Sequence, residues 1–138
     1  MASYVVKAEI ADARAKDFEF VRIKTMYGGK DIAVGDTVFV FASETQGGEG
    51  LVARGVVAAV AAARKPLGTV RWTPRVDVAI RRTALARRAL GRDQLKGWRG
   101  TDDGSPQAEL DFKFYRQATN KIGGISDAAA AFLDRCFR

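Results

Sequence analysis

A chain of 138 residues, 47% apolar, in which 23 Lys and Arg outnumber 16 Asp and Glu for a net charge of +7, is sized for one domain over 1–138 with a sizeable core. It has no histidine, which excludes Ser-His and Cys-His nucleophiles and the commonest zinc ligand, and its one cysteine, Cys136, excludes an internal disulfide. No catalytic residue, metal or cofactor is expected, and the positive charge favours an anionic partner, nucleic acid above all.

No apolar run approaches the roughly 20 residues of a membrane span, and residues 1–10 show no signal peptide, so the cytoplasm is the default compartment and no membrane contact is expected. Tyr4 to Ile10 alternates, predicting a strand with Tyr4, Val6, Ala8 and Ile10 inward and Lys7 and Glu9 outward. Ala11 to Lys16 lapses into small and charged residues and reads as a loop or short helix. Phe18 to Lys24 restores a strand that buries Phe18, Phe20 and Ile23. Thr25 to Lys30, with Gly28 and Gly29, is an irregular connection.

The chain is organised around Val34 to Arg64. Val34-Gly35-Asp36 forms a turn, Thr37 to Ser43 and Leu51 to Arg64 are rich in β-branched and apolar residues, and the glycine-rich break Glu44 to Gly50 lets the chain reverse into a hairpin. That break reads as a mobile flap, and it lacks the Gly-Lys-Ser/Thr ending of a phosphate-binding loop. After the turn Lys65-Pro66-Leu67-Gly68, Thr69 to Thr83 reads as a long strand bent at Pro74, with Val76, Val78 and Ile80 inward.

Ala84 to Leu90 reads as a short helix stopped by Gly91, with Asp93 capping a further turn, and 99–107 reads as a surface loop. Leu110 to Tyr115 alternates as a last strand burying Leu110, Phe112 and Phe114. Ser126 caps a final helix whose Ala129, Phe132, Leu133 and Cys136 share a face. The whole predicts an α+β fold: a small, partly closed mixed β-barrel with short peripheral helices and a C-terminal helix, its ligand site at a mouth or in a cleft.

The order of landmarks resembles the EVE domain of the PUA-like superfamily. The residues that carry the resemblance are Ser3 to Lys7, Phe20-Val21-Arg22, Val34-Gly35-Asp36 leading into Phe39 to Ser43, Val52 to Val60, Arg75 to Val78, Leu85 to Lys96 and Ile122 to Leu133. They cover nearly the whole chain, as short pieces in the right order. Where the family commonly shows Tyr-His-Ser, this chain has Phe41-Ala42-Ser43, and Ile23-Lys24-Thr25 stands where an asparagine is expected. The resemblance implies a non-enzymatic module that binds DNA or RNA and encloses a modified base in an aromatic pocket.

Such a pocket needs flat rings, an edge-reading hydroxyl and cations for the flanking phosphates. Tyr27, Phe41, Trp72 and Trp98 supply rings, and Ser43 a hydroxyl at a strand end. Arg22, Lys24, Arg71, Arg99, Lys113 and Lys121 supply charge. Against each stands an ordinary alternative: an indole packed on the barrel, a serine bonded to its own loop, a solvated cation. Two rival functions follow. The related ASCH branch implies a hydrolase of modified nucleosides, with Lys24, Thr25 and Glu44 cast as its residues, although adjacent positions on a strand face opposite ways. The third is a basic protein-interaction module. The acidic pair Asp102-Asp103 sits in a turn-like context and reads as surface.

Overall fold

The computed structural model describes residues 2–98, 103–115 and 120–138. Six strands appear in chain order: β1 Ser3–Ala8, β2 Asp17–Met26, β3 Thr37–Ala42, β4 Gly50–Ala62, β5 Arg75–Leu85 and β6 Lys121–Ile125. They close into a barrel in the order β1-β3-β4-β5-β2-β6. Two pairs, β1 with β3 and β2 with β6, run parallel, and the rest run antiparallel. The helical pieces are α1 Arg92–Leu95, α2 Pro106–Leu110 and α3 Asp127–Asp134.

The barrel closes fully because Lys121–Ile125, which has no strand signature in the sequence, pairs with β1 on one side and β2 on the other. Closure leaves no free edge among these strands. Glycine makes that seam possible. A Cβ on Gly29 would stand 2.4 Å from the Ile122 carbonyl oxygen, and one on Gly124 2.6 Å from that of Tyr27.

The inside of the barrel is filled by Tyr4, Val6, Val38, Val40, Val78, Ile80 and their neighbours. A second core lies outside it, where Val5, Phe39 and Phe41 meet Leu95, Leu110, Phe114, Ala129 and Leu133 of the helical layer. Strands β1 and β3 are therefore buried on both faces, which explains the unbroken apolar run Val38-Phe39-Val40-Phe41. It also corrects the expectation for Lys7, which is 2% exposed.

Four other expectations are corrected. Residues 110–115 are not a strand. Ser105 caps α2, its hydroxyl accepting from the Ala108 N–H at 3.2 Å, Pro106 sits in the first turn, and the chain runs on into a π turn, Asp111–Tyr115. Leu110 and Phe114, four residues apart, share the buried face of that coil, while Phe112 points out at 51% exposure.

Thr69 to Pro74 is irregular, and β5 begins only after the proline. Strand β5 then runs on to Leu85, into the stretch read as helix, and 86–90 carries no helix. At α1 the cap position is Gly91, whose N–H donates to the Gln94 side chain at 2.7 Å, so Asp93 lies inside the first turn.

The final helix is as expected: the Ser126 hydroxyl accepts from the Ala129 N–H at 3.1 Å, and Ala129, Leu133 and Cys136 are buried. Among the described residues no helix is long and apolar enough to cross a membrane.

Candidate functional site

The strand register assembles cations that the sequence scatters. Arg75 stands opposite Lys24, Lys24 opposite Lys121, Lys121 opposite Lys7, and Lys7 opposite Phe41. Because alternate residues face opposite sides of a sheet, and Val6 and Ile122 fill the barrel interior, this row faces outward. It starts at the exposed end of β5 and runs beneath the π turn.

Under that turn the lysines are interleaved with rings. The Lys7 ammonium donates to the Phe114 carbonyl at 2.8 Å and lies 3.8 Å from the centre of the Tyr115 ring. Lys121, 1% exposed, places its ammonium 5.5 Å from the Phe114 ring and 5.9 Å from that of Tyr27. Lys113 approaches the other side of this group, 5.1 Å from the Tyr27 ring, and is held by Glu109 at 3.0 Å and the Gly124 carbonyl at 2.8 Å. Contacts of this kind are favourable, and more so once water is excluded.

Burial and like charge set the electrostatics. Burial lowers the Lys7 pKa to about 8, with Arg92 pushing the same way and Glu44 opposing. Burial likewise lowers Lys121 to about 8, helped by Lys7 and Lys24. The Tyr115 hydroxyl is sealed, and the Glu44 carboxylate is the polar group that faces it. Its pKa is raised by burial first and by the Glu44 carboxylate second.

Glu44 is fixed. Its carboxylate accepts from the Arg92 N–H at 2.8 Å, and the loop that carries it is tied down by the Ser43 N–H to Ala8 and the Gly48 N–H to Ser43, both at 2.8 Å. The stretch read as a mobile flap is thus an anchored turn beside the lysine row.

The backbone around the row is unusual. Arg22, Tyr27 and Asn120 adopt φ values of 52°, 51° and 62°, which side-chain-bearing residues rarely take. Arg22 occupies the bulge between Phe20 and Ile23. Its N–H donates to Asp77 at 2.7 Å, its carbonyl accepts from the Arg75 guanidinium at 2.8 Å, and its own guanidinium lies 5.7 Å from the Trp72 ring.

The sequence-derived site residues thus fall into three neighbouring groups. Tyr27 gathers with Lys113 and Lys121, next to Lys24 in register, beside a recess of about 350 Å³ lined by Tyr4, Tyr27, Gly28, Asp31, Lys113 and Gly124. Phe41 and Ser43, each 1% exposed, lie inside: Phe41 meets Tyr115 edge-on at 6.3 Å between ring centres, and the Ser43 hydroxyl is 3.0 Å from that of Thr45. Arg22 and Trp72 form the third group.

Arg71 is exposed on the connection before β5. Trp98 is half-buried at the end of the turn after α1 and makes no ring contact with the other groups among the described residues. Arg99 lies outside the described residues. Two of the three residues cast in the hydrolase reading are engaged elsewhere. The Thr25 hydroxyl donates to the Pro74 carbonyl at 2.6 Å, and Glu44 is engaged at the start of α1.

Lys7, Phe114 and Tyr115 escaped the sequence reading. The available signal was the two-sided apolar character of β1 and β3, which implies a covering layer over the face that carries Lys7.

Solved structures share this architecture along the whole chain. A human THYN1 protein in complex with 5-methylcytosine-containing DNA matches with a TM-score of 0.66 at 12% identity, covering 100% of this chain and 99% of that one. The DUF55 domain of human thymocyte nuclear protein 1 matches at 0.64 and 13%, covering 95% of each chain. A hypothetical protein from Leishmania major matches at 0.63 and 18%, covering 98% and 93%. At these identities the likeness is one of fold: the small α+β barrel with short peripheral helices that the sequence landmarks led us to expect. No family model and no curated protein matches the chain.

Proposed function

We propose that this chain is a nucleic-acid-binding module that takes one extruded, modified base into the cluster of rings and lysines beneath the π turn. The observation that carries the reading is the cross-strand row Arg75-Lys24-Lys121-Lys7 with Tyr27, Phe114 and Tyr115 set among its ammonium groups. Rings supply stacking worth roughly 1–3 kcal/mol per base. The Lys7 and Lys121 ammonium groups supply positive potential and donors for a base edge, and Tyr27 guards the recess on the β2 side.

At the exposed end Lys24, Arg75, Arg71 and the Arg22-Trp72 pair hold the backbone, with Trp72 and Trp98 as outer stacking surfaces. Phe41 and Ser43 support the floor from within. The fold shared with the THYN1 structure, whose partner is DNA carrying 5-methylcytosine, supports the same ligand class here.

Fluorescence anisotropy with short single-stranded and duplex oligonucleotides, modified and unmodified, tests this at two salt concentrations. We expect tighter binding of one modified form and loss of that preference in Tyr27→Ala. Equal affinity for all forms, or a preference untouched by Tyr27→Ala, refutes the base pocket. Weakened binding at high salt reports only on the phosphate contacts.

A further inference from the structure

A second cationic surface lies away from the lysine row, and it is built almost wholly of arginine. The Cys136 carbonyl accepts from the N–H groups of both Arg87 and Arg88, at 2.7 and 3.2 Å. That pins the segment after β5 to the turn Arg135–Phe137, so Arg87, Arg88, Arg135 and Arg138, from two distant parts of the sequence, emerge side by side and exposed. The acid of this turn is already used: Asp134 pairs with Arg54 at 2.5 Å, and the Arg54 guanidinium lies 5.3 Å from the Phe137 ring.

The surface continues along β5. Exposed Arg81 stands opposite Asp17 in register without forming an ion pair. Arg82 binds the loop before β2 at three points: its N–H meets the Lys16 carbonyl at 2.8 Å, and its guanidinium meets those of Arg14 and Ala15 at 2.5 and 3.2 Å. That holds exposed Arg14 and Lys16 beside the strand, and Asp12 is occupied by the Arg14 N–H at 3.0 Å. Among the described residues the ion pairs are Arg54 with Asp134 and Lys113 with Glu109, so none of these exposed cations is neutralised by a carboxylate at contact distance.

We propose that this arginine face is a second nucleic-acid contact, gripping phosphodiester backbone at a distance from the base pocket. Guanidinium rather than ammonium predominates, as suits bidentate contact with phosphate oxygens. From Arg81 to the end of β5 at Leu85 the chain advances four positions, about 13 Å at a strand's rise, on the order of four base-pair steps of a duplex. The face follows the Arg81 end of β5 and the C-terminal turn, whereas the lysine row meets β5 only at its other end, Arg75, and continues onto β2, β6 and β1. One duplex or one folded strand can therefore meet both.

The inference extends the nucleic-acid reading without depending on the base pocket. Its test is Arg87→Glu/Arg88→Glu/Arg138→Glu measured against the unaltered chain, with the milder Arg→Gln triple as a second variant and circular dichroism to confirm folding. The probes are a 20-base-pair duplex and a four-nucleotide single strand.

We expect the Glu triple to bind the duplex at least tenfold more weakly, and the slope of log affinity against log salt to shrink by about 2 to 3, since each lost phosphate contact removes about 0.9. The Gln triple shifts both in the same direction by less. Binding of the short strand, and any preference for a modified base, stays as in the unaltered chain. Folded variants with unchanged duplex affinity and salt slope, or an unaltered chain that does not bind duplex at all, overturn the proposal. A lost modified-base preference with an intact duplex effect would instead strike only the pocket.

Discussion

Raising the pH from 7 to 9 should weaken nucleic-acid binding far more than ordinary lysines allow. Lys7 and Lys121 both titrate near pH 8 because burial and neighbouring cations penalise their charge. Each is then about 90% charged at pH 7 and about 10% at pH 9, while an exposed lysine, with a pKa near 10.4, stays above about 95% charged across the range.

A ligand that requires one of these ammonium groups loses roughly tenfold in affinity over those two pH units, and one that requires both loses about a hundredfold. The gradient is measured by anisotropy with a labelled oligonucleotide at fixed ionic strength, and Lys121→Met should flatten it by about one decade. Affinity that stays level from pH 7 to 9 would refute the assignment of charge to this cluster, because phosphate contacts by exposed lysine and arginine cannot produce the fall.

The same groups set the stability profile. Their folded pKa values lie below the unfolded one, so between about pH 8 and pH 10 the unfolded chain holds more protons and stability should rise with pH, by up to about 2–3 kcal/mol per lysine. Urea melts at pH 7 and pH 9.5 check this, and a lower midpoint at pH 9.5 would count against it. Lys121→Met, which removes a buried charge facing Lys7, should raise stability at pH 7 by about 1–2 kcal/mol while weakening binding.

Ser126→Ala removes the cap to Ala129 and the hydroxyl's bond to Glu109 at 2.5 Å. It should cost about 1 kcal/mol or slightly more by denaturant titration. Gly29→Ala forces a Cβ against the Ile122 carbonyl and should cost about 1–3 kcal/mol, with hydrogen exchange accelerating first in β6.

The sequence displays those parts of the fold whose periodicity has a single reading. Alternation in Val76-Asp77-Val78-Ala79-Ile80 and the apolar arms of the β3–β4 hairpin place themselves, and Ser126 followed by apolar residues three and four apart announces α3. The closing strand does not: Lys121-Ile122-Gly123-Gly124-Ile125 is mostly glycine and charge, and it pairs because its glycines admit the Met26 and Tyr27 backbone. Among the residues of the proposed site, Tyr27 and the cations of β2 are the ones that type and context single out in the sequence. Lys7 was not, because a lysine in an alternating strand reads as solvent-facing until the helical layer is known, and that layer comes from the far end of the chain.

The hardest segment to read is also the one that makes the site. In Leu110-Asp111-Phe112-Lys113-Phe114-Tyr115, Leu110 and Phe114 are four apart, so they share a face in a strand and also in a helical coil. The pattern alone cannot choose. Phe112 separates the two cases: a strand would bury it, and here it is exposed. The choice follows from the start of the segment, where Ser105 and Pro106 cap a helix before the alternation begins.

Its consequence is chemical. As a strand the segment would have added one more ladder to the sheet. As a coil ending in a π turn it lays the Phe114 carbonyl on the Lys7 ammonium, sets the Tyr115 ring over it, and brings Lys113 to Tyr27. A widened turn suits this task, because it brings Asp111 and the adjacent pair Phe114 and Tyr115 to the buried side of one short coil. The lysine row is a property of the barrel, but the cover over its buried end, and with Tyr27 its aromatic lining, come from five residues that refuse to be a strand.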